Sequence, residues 1–186
     1  MPTTRDRIVA AAVELTTTSG WASVTMSRLA AAAGVSRQTV YNEVGSKPAL
    51  AETMILEELA RFLQVVEQAF DAEPDELTRG IERAVSDVLT YASANTLLHA
   101  VVSATHGADT ELLPLLTTNA AGLLGVAKEV ISARVAPYQP AIDADHLDAA
   151  IDMVVRVVLS HVMQPSGAPA RTADDISWIA ARVLRA

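Results

Sequence analysis

Apolar residues recur along the chain at the three- and four-residue spacing of helices, and no segment sustains the two-residue alternation typical of a half-buried strand. Glycine and proline separate the periodic segments, as expected where helices end. The pattern therefore predicts an all-α chain. It predicts nine helices: one from Thr3 to Gly20, then 26–33, 37–44, one from Ser46 to about Phe70, 74–93, 95–106, 109–136, 144–164 and 173–185.

Hydroxyl side chains stand where several of these helices need an N-cap, because Ser and Thr oxygens accept hydrogen bonds from the first free backbone N–H groups. These positions are Thr3, Thr25, Ser36 and Ser46. Asp6 follows Thr3 by three residues, where its charge also complements the positive end of the helix dipole. Thr172 and Asp175 have the same spacing, so we expect them to cap the last helix at 173.

The composition is that of one or two compact domains. The 186 residues are 51% apolar and 19% charged, which suffices for a buried core and is too apolar for a disordered chain. Aromatic residues make up only 4%, so Ala, Val and Leu must fill most of the core. The absence of cysteine excludes disulfides, thiolate nucleophiles and cysteine-ligated metal centres.

The net charge of −8 is unevenly distributed. Residues 1–47 carry five basic and three acidic side chains, a net +2, whereas residues 48–186 carry nine basic and nineteen acidic side chains, a net −10. A basic head on an acidic body indicates two domains, 1–47 and 48–186. The local field of the head, rather than the total charge, determines what docks there.

The longest stretch without a charged residue, 88–108, has 21 residues and is formally long enough to span a membrane. Asn95, His99, His106 and several hydroxyl residues dilute its hydrophobicity, so we interpret it as buried helix. The N-terminal residues lack the pattern of a signal peptide. We therefore expect no membrane partner and a cytoplasmic location.

Residues 25–47 combine three features of a DNA-reading element. Two short helices are joined by a tight turn containing Gly34, as in a helix-turn-helix. The second helix opens with Arg37, a cation at the positive end of the helix dipole, where an anionic partner would offset the repulsion. Helical spacing puts Val40 and Val44 on one face. The opposite face carries groups that can hydrogen-bond to base edges: Gln38, Thr39, Tyr41 and Asn42.

Three runs in this region have a specific spacing: Thr-Met-Ser-Arg-Leu-Ala-Ala-Ala-Ala-Gly-Val-Ser at 25–36, Thr-Val-Tyr at 39–41 and Gly-Ser-Lys-Pro-Ala-Leu at 45–50. With them, the segment 5–51 resembles the DNA-binding domain of the TetR repressor family. The resemblance implies that the third helix enters the major groove of a double-stranded DNA operator. By position, it implies DNA contacts from Arg37, Gln38, Thr39, Tyr41 and Asn42, backbone contact from Lys47, and flanking phosphate contacts from Thr25 and Ser27.

A structural role is also open at single positions of this segment. Tyr41 could lie at the edge of the core, and Arg37 could be a solvated charge. Both would then contribute to the fold rather than to DNA binding.

A homodimer would supply the charge that one head lacks, because a net +2 neutralises few phosphates. A dimer presents two recognition helices about 34 Å apart, or a multiple of this, which matches a palindrome. The last two helices have broad apolar stripes, with more apolar surface than one face needs. The resemblance implies that they form a four-helix bundle with their mates, and we expect one side of each to pack on the core of its own chain as well. The candidate interface consists of Ile151, Val154, Val155, Val158, Leu159, Val162, Ile176, Ile179 and Val183.

The resemblance further implies a small-molecule effector bound among helices four to seven, where its binding moves helix four and the DNA head. Apolar helices with a few polar residues among them fit such a site. Their apolar composition favours a lipophilic effector of the fatty-acid kind. The candidate residues are Met54, Phe62, Val66, Tyr91, Leu98, His99, Val102, His106, Leu113, Leu116, Thr117 and Asn119.

Metal and cofactor sites are not expected. Seven residues separate His99 from His106, about 10.5 Å along one helix, which is too far for both to bind one metal ion. His146 lies among four aspartates, which we interpret as caps and dipole partners at a helix start. These are Asp143, Asp145, Asp148 and Asp152.

No phosphate-binding glycine loop, H-E-x-x-H or G-x-S-x-G motif occurs in the chain. An all-α enzyme whose catalytic groups converge only in space remains an alternative, as does a protein-interaction module that retains a helix-turn-helix. A protein-interaction module would have no use for the polar face of the third helix. The sequence therefore predicts a homodimeric, ligand-responsive transcriptional regulator, a repressor that its effector releases, and not an enzyme.

Overall fold

The computed structural model describes residues 1–104 and 120–184. Within these ranges it contains nine α-helices, two 3₁₀ turns and no strand, which confirms the all-α prediction. The helices are α1 (Thr4–Ser19), α2 (Met26–Ala33), α3 (Arg37–Val44), α4 (Lys47–Ala72), α5 (Leu77–Ala94), α6 (Thr96–Ala104), α7 (Ala120–Val135), α8 (Ala144–Met163) and α9 (Pro169–Val183). The 3₁₀ turns are Trp21–Ser23 and Ala136–Tyr138.

Local capping explains the boundaries of the first helices. The hydroxyl of Thr3 accepts from the backbone N–H of Asp6 at 3.1 Å, and the Asp6 carboxylate accepts from the Thr3 N–H at 2.7 Å, which lowers the pKa of Asp6. Thr25 and Ser36 cap α2 and α3 through bonds of 3.2 and 3.0 Å. Gly34 ends α2 with φ 64°, a left-handed conformation that glycine adopts without a Cβ clash.

The described residues form two compact units. The first contains α1 to α3, α4 as far as Glu58, and α6 with the preceding Asn95. The second contains α4 from Leu59 onward, α5, α7 from Ala121, α8 and α9. The division into functional domains at Lys47 stays a prediction.

The core of the first unit joins the start of α4 to the three N-terminal helices. Its largest fully buried apolar side chains are Ile8, Trp21, Val24, Leu29, Val40 and Leu50. Leu50 belongs to α4, and Leu97 and Val101 of α6 pack into the same cluster. The first turns of α4 are therefore anchored on the helices that precede them.

The charge-free stretch that begins at residue 88 is divided between α5 and α6, with Asn95 at the break. The Asn95 carboxamide accepts from the backbone N–H of Leu98 at 2.8 Å, which caps α6, and it donates to the Glu58 carboxylate on α4. Among the helices of residues 1–104 and 120–184, none is both long and apolar enough to cross a membrane.

The second unit is organised by α5, which packs mainly against α9 and also against α8. Ile81 and Val85 of α5 share a buried cluster with Ile176 of α9. The Tyr138 hydroxyl donates to the Glu73 carbonyl at 2.8 Å, just beyond the end of α4. Burial raises the pKa of Tyr138, and nearby carboxylates raise it further, so this hydroxyl stays a donor.

The last helix begins four residues earlier than expected. Pro169 is the first residue of α9, and Ala168 precedes it with no side-chain cap. Thr172 is buried inside the helix and does not cap it, so this prediction was wrong. A proline suits the first helical turn because its fixed φ is helical and the N–H it lacks would be unpaired there. Asp175 instead accepts from the guanidinium of Arg171 at 3.3 Å.

Gly80→Ala is expected to destabilise the second unit. A Cβ at residue 80 would lie 2.9 Å from Cδ1 of the buried Phe70 ring, so the ring must shift, at a cost of about 1–3 kcal/mol. Gly122→Ala is the matched control, since a Cβ there meets nothing within 4 Å and alanine favours the helix. Chemical denaturation checks this, and equal stability changes in the two variants would contradict the clash.

Candidate nucleic-acid interface

The turn between α2 and α3 is built by local backbone bonds. The Gly34 N–H donates to carbonyls in the last turn of α2, and the Val35 N–H donates to the Ala30 carbonyl at 3.0 Å. Ser36 then caps α3, so the chain passes from one helix to the next within three residues. This gives the helix-turn-helix that the sequence predicts, with the same helix boundaries.

The inner face of α3 is fixed by apolar packing. Val40 and Val44 are 0% and 3% exposed and belong to the core of the first unit. Arg5 of α1 adds a polar contact at the end of α3, where its guanidinium donates to the Glu43 carbonyl at 2.7 Å. The orientation of α3 in the head is therefore set from two sides.

The outer face of α3 presents the predicted reading residues. Arg37, Gln38 and Asn42 are exposed, and Tyr41 is 42% exposed, which argues against its placement in the core. Thr39 is half-buried, and its hydroxyl lies 2.8 Å from that of Ser36 in the N-terminal cap. Thr39 is thus partly engaged in holding the helix start.

Two pairs of side chains one turn apart order this outer face. The Arg37 guanidinium donates to the Tyr41 hydroxyl at 3.4 Å and lies 5.6 Å from the centre of its ring. The Gln38 amide donates to the Asn42 carboxamide oxygen at 3.0 Å. The four groups therefore form two ordered columns rather than four independent side chains.

Of the three residues predicted to contact phosphates beside α3, two are exposed and one, Lys47, is half-buried. Thr25 and Ser27 are exposed at the start of α2, where Thr25 serves as the N-cap. Lys47 is the first residue of α4, and its ammonium lies 4.9 Å from the centre of the Trp21 ring. The start of α2 thus has backbone N–H groups and the start of α4 a cation, groups that suit phosphates.

The predicted effector residues fall into both units. In the first, Met54 is buried in the core, Leu98 and Val102 are half-buried, and His99 is exposed. The other predicted effector residues that the structure describes lie in the second unit: Phe62, Val66 and Tyr91. The predictions at His106, Leu113, Leu116, Thr117 and Asn119 lie outside the described residues.

Within the second unit, the aromatic pair is the notable feature. The rings of Phe62 and Tyr91 meet edge to face, with centroids 4.8 Å apart, and both side chains are half-buried. Val66 is buried in the cluster against which Phe62 packs.

The predicted dimer residues divide into an inner and an outer set. Ile151, Val155 and Ile176 are 6% exposed and pack in the core of their own chain. Val154, Val158 and Val162 are half-buried against the same core. The exposed members are Leu159, Ile179 and Val183.

The sequence reading missed four exposed apolar residues on the same two helices: Met153, Val157, Met163 and Trp178. Together with Leu159, Ile179 and Val183 they define the α8–α9 outer face. These seven are most of the exposed large apolar side chains in the part of the chain that the structure describes. The sequence does contain a signal for these residues, because a helix that is apolar on more than one face needs a second packing partner.

One of the aspartates near His146 caps α8, and two others pair with Lys128 or Arg156. Asp143 is the N-cap of α8, where its carboxylate accepts from the His146 backbone N–H at 3.0 Å and lies 2.6 Å from Nδ1 of the ring. These bonds lower the pKa of Asp143. Within 1–104 and 120–184, no three His, Asp or Glu side chains are placed to hold one metal ion.

Comparison with known proteins finds two family matches along the chain. The family described as "Bacterial regulatory proteins, tetR family" matches residues 8–54, and "Bacterial Tetracyclin repressor, C-terminal domain" matches residues 76–182. The HTH-type transcriptional regulator AlkX of Mycobacterium tuberculosis (strain ATCC 25618 / H37Rv) is 32% identical over 180 residues, which are 93% of this chain and 81% of that protein.

Solved structures agree with this assignment. The TetR-family repressor AlkX from Dietzia sp. strain DQ12-45-1b, implicated in biodegradation of n-alkanes, aligns with a TM-score of 0.76 at 26% identity, over 97% of this chain and 95% of that one. The fatty acid degradation regulator FadR from Bacillus halodurans aligns at 0.60 and 18% identity, over 97% and 94%, which shows a shared fold.

The matching families and relatives consist of transcriptional regulators and not of enzymes, which decides against the enzyme alternative. The chain belongs to the TetR family of DNA-binding transcriptional regulators.

Proposed function

We propose that this regulator is a repressor that binds a palindromic operator as a homodimer, with α3 of each copy in the major groove. The observation that carries the proposal is the outer face of α3, whose polar groups stand exposed on a helix anchored by Val40 and Val44. Amide and guanidinium groups on such a face can engage adenine and guanine edges. A regulator of bacterial type meets its operator in the cytoplasm, where we place it.

Selection of binding sites from random duplex DNA tests this proposal directly. Read out at two salt concentrations, it should enrich a palindrome with an affinity that falls steeply with salt, because phosphate neutralisation releases counterions. No enrichment by folded, dimeric protein free of bound small molecules would overturn the DNA-reading role and favour an interaction module.

Lys47→Ala is expected to weaken binding to every DNA sequence. The ammonium stands at the start of α4, where we assign it a phosphate, so its loss should reduce the slope of log affinity against log salt by about one per protomer. Lys128→Ala is the matched control, because these are the two lysines of the chain and Lys128 pairs with Asp148 in the second unit. Equal salt slopes for both variants would contradict the phosphate contact.

Asn42→Ala is expected to relax sequence preference at one operator position in each half-site. A bidentate amide–base contact contributes about 1–3 kcal/mol of discrimination, whereas phosphate contacts contribute none. Gln38→Ala serves as the comparison, since Gln38 donates to Asn42 and its loss should broaden the same or the adjacent position. A selected operator identical to that of the wild type in both variants would show that α3 does not read bases through this pair.

We propose that the α8–α9 outer face is the dimer interface. α8 and α9 pack against each other, and both leave large apolar side chains exposed, with Met153 at 67% and Trp178 at 57%. An exposed apolar surface of this kind marks an association site. The Arg182 guanidinium lies over the Trp178 ring, 3.5 Å from its centre, and covers part of it.

We also propose a small apolar effector that releases the repressor from DNA. Apart from the exposed His99, the described candidate side chains are apolar or aromatic and at least half-buried, and the 26%-identical repressor AlkX is implicated in biodegradation of n-alkanes. A ligand shifts the balance between two arrangements of the head only as far as it binds one of them better.

Titration with compounds of equal chain length tests the effector class. An n-alkane, the corresponding alkanol and the corresponding fatty acid are added to the protein bound to its selected operator. Release by the n-alkane is expected. A second titration with n-alkanes of increasing length should show rising potency, because each buried CH₂ contributes about 0.8 kcal/mol. Release by polar compounds alone would overturn this assignment.

A further inference from the structure

Arg5 makes hydrogen bonds to protein oxygens in addition to contributing positive charge to the head. One guanidinium nitrogen donates to the Glu43 carbonyl at 2.7 Å, and the other donates to Oγ1 of Thr53 at 3.2 Å. Glu43 lies in the last turn of α3, and Thr53 lies in the second turn of α4. One side chain of α1 thus bridges the end of the recognition helix and the start of α4.

Both acceptors are well suited to a guanidinium. The last carbonyls of a helix have no partner within it and lie at the negative end of the helix dipole, where a cation is favoured. The Thr53 hydroxyl donates to the Ala49 carbonyl at 2.9 Å, which orients its oxygen to accept from Arg5. The planar fork of arginine can reach two such acceptors at once, whereas a lysine ammonium cannot match that geometry.

Arg7, one residue further along α1 than Asp6, makes a different contact. Its guanidinium donates to the carbonyl of Ala33, the last residue of α2. Arg5 and Arg7 therefore carry the same charge and both cap a helix end in the first unit, but only the Arg5 contacts connect α3 with α4.

We propose that Arg5 is a positioning residue that holds α3 at a fixed angle to α4, so that the polar face of α3 meets the base edges. This inference rests on the proposed DNA-reading role of α3. Arg5 contributes to the net charge of the head, yet its donors are directed at protein oxygens. Its loss should therefore change sequence discrimination rather than the number of phosphates contacted.

The test compares Arg5→Ala, Arg7→Ala and Thr53→Val with the wild type. Affinity is measured for the selected operator and for a scrambled duplex of equal length and composition, at a series of salt concentrations. Thermal unfolding of each variant is recorded alongside. Thr53→Val removes the hydroxyl acceptor at nearly constant volume and charge, so it remains informative where Arg5→Ala unfolds the head.

Arg5→Ala is expected to weaken operator binding about tenfold, because each protomer loses one charge-assisted bridge. The affinity for scrambled DNA and the salt slope of binding should stay nearly unchanged. Thr53→Val should lower the operator preference by a smaller factor, about twofold to threefold, because the bond to Glu43 remains. Arg7→Ala should leave the operator preference within about twofold of wild type.

Three results would overturn the positioning role. One is an equal loss of operator preference in Arg5→Ala and Arg7→Ala, which indicates general destabilisation of the head. Another is a salt slope lowered by about one per protomer in Arg5→Ala, which indicates a phosphate contact. The third is an unchanged preference in Thr53→Val. Failure of the wild type to select any operator overturns the proposed function itself, and the positioning role with it.

Discussion

Ile179→Asp is expected to dissociate the dimer and to abolish binding to a palindromic operator. Ile179 is 55% exposed on the α8–α9 outer face, which we assign to the dimer interface. A carboxylate buried there without a partner costs about 3–5 kcal/mol, and two-fold symmetry places the substitution in the interface twice. The dimer dissociation constant should therefore rise by more than about a hundredfold.

Sedimentation equilibrium measures this change, and gel mobility of the operator complex reports its consequence. Val126→Asp is the control, because Val126 is an apolar residue of α7 with similar exposure, 44%, and lies outside the α8–α9 outer face. The control should remain dimeric and bind the operator. A dimeric Ile179→Asp variant with normal operator binding would place the interface on another surface.

The helix-turn-helix could be predicted to the residue because its determinants are local. The caps Thr25 and Ser36 and the left-handed Gly34 act within four residues along the chain, and α2 and α3 begin and end where these signals place them. The start of α9 was missed because two local signals compete there. Thr172 and Asp175 resemble a capping pair, but Pro169 begins the helix.

The orientation of the apolar stripes could not be predicted, because α8 is apolar on both sides. Spacing alone does not show that Ile151 and Val155 face the core of their own chain while Val157 faces outward. The tertiary packing of α8 on its neighbours makes that choice.

The role of Arg5 was hidden for a related reason. Its acceptor at Glu43 is a backbone carbonyl 38 residues away, and a backbone atom leaves no signal in the sequence. A surface arginine on a predicted helix is therefore interpreted as solvated charge until its partners are known.

Trp21→Ala is expected to cause the largest loss of stability in the DNA-binding head. Trp21 is 2% exposed and is the largest fully buried side chain of the first unit. Truncation of a buried tryptophan to alanine costs about 3–5 kcal/mol. A typical domain has only about 5–15 kcal/mol in total, so a substantial fraction of the head should be unfolded at moderate temperature.

Tryptophan fluorescence reports the unfolding of the head that keeps Trp21, the reference against which Trp21→Ala is compared. The chain has two tryptophans, Trp21 buried and Trp178 exposed, so Trp178→Phe leaves a single reporter in the head. Trp21→Phe in the full chain is the matched variant, because it retains an aromatic ring with less loss of volume. Circular dichroism then follows Trp21→Ala, which has no tryptophan in the head.

Operator binding should fall more in Trp21→Ala than in Lys47→Ala, because the tryptophan supports both the core and the position of the Lys47 ammonium over its ring. In Trp21→Phe a ring remains beneath the ammonium, so the salt slope should stay close to that of the wild type. A double-mutant cycle between Trp21→Phe and Lys47→Ala measures their coupling. Two results together would contradict this expectation: additive effects of Trp21→Phe and Lys47→Ala on operator affinity, and full operator affinity in Trp21→Ala. They would show that α3 reads DNA without support from this core.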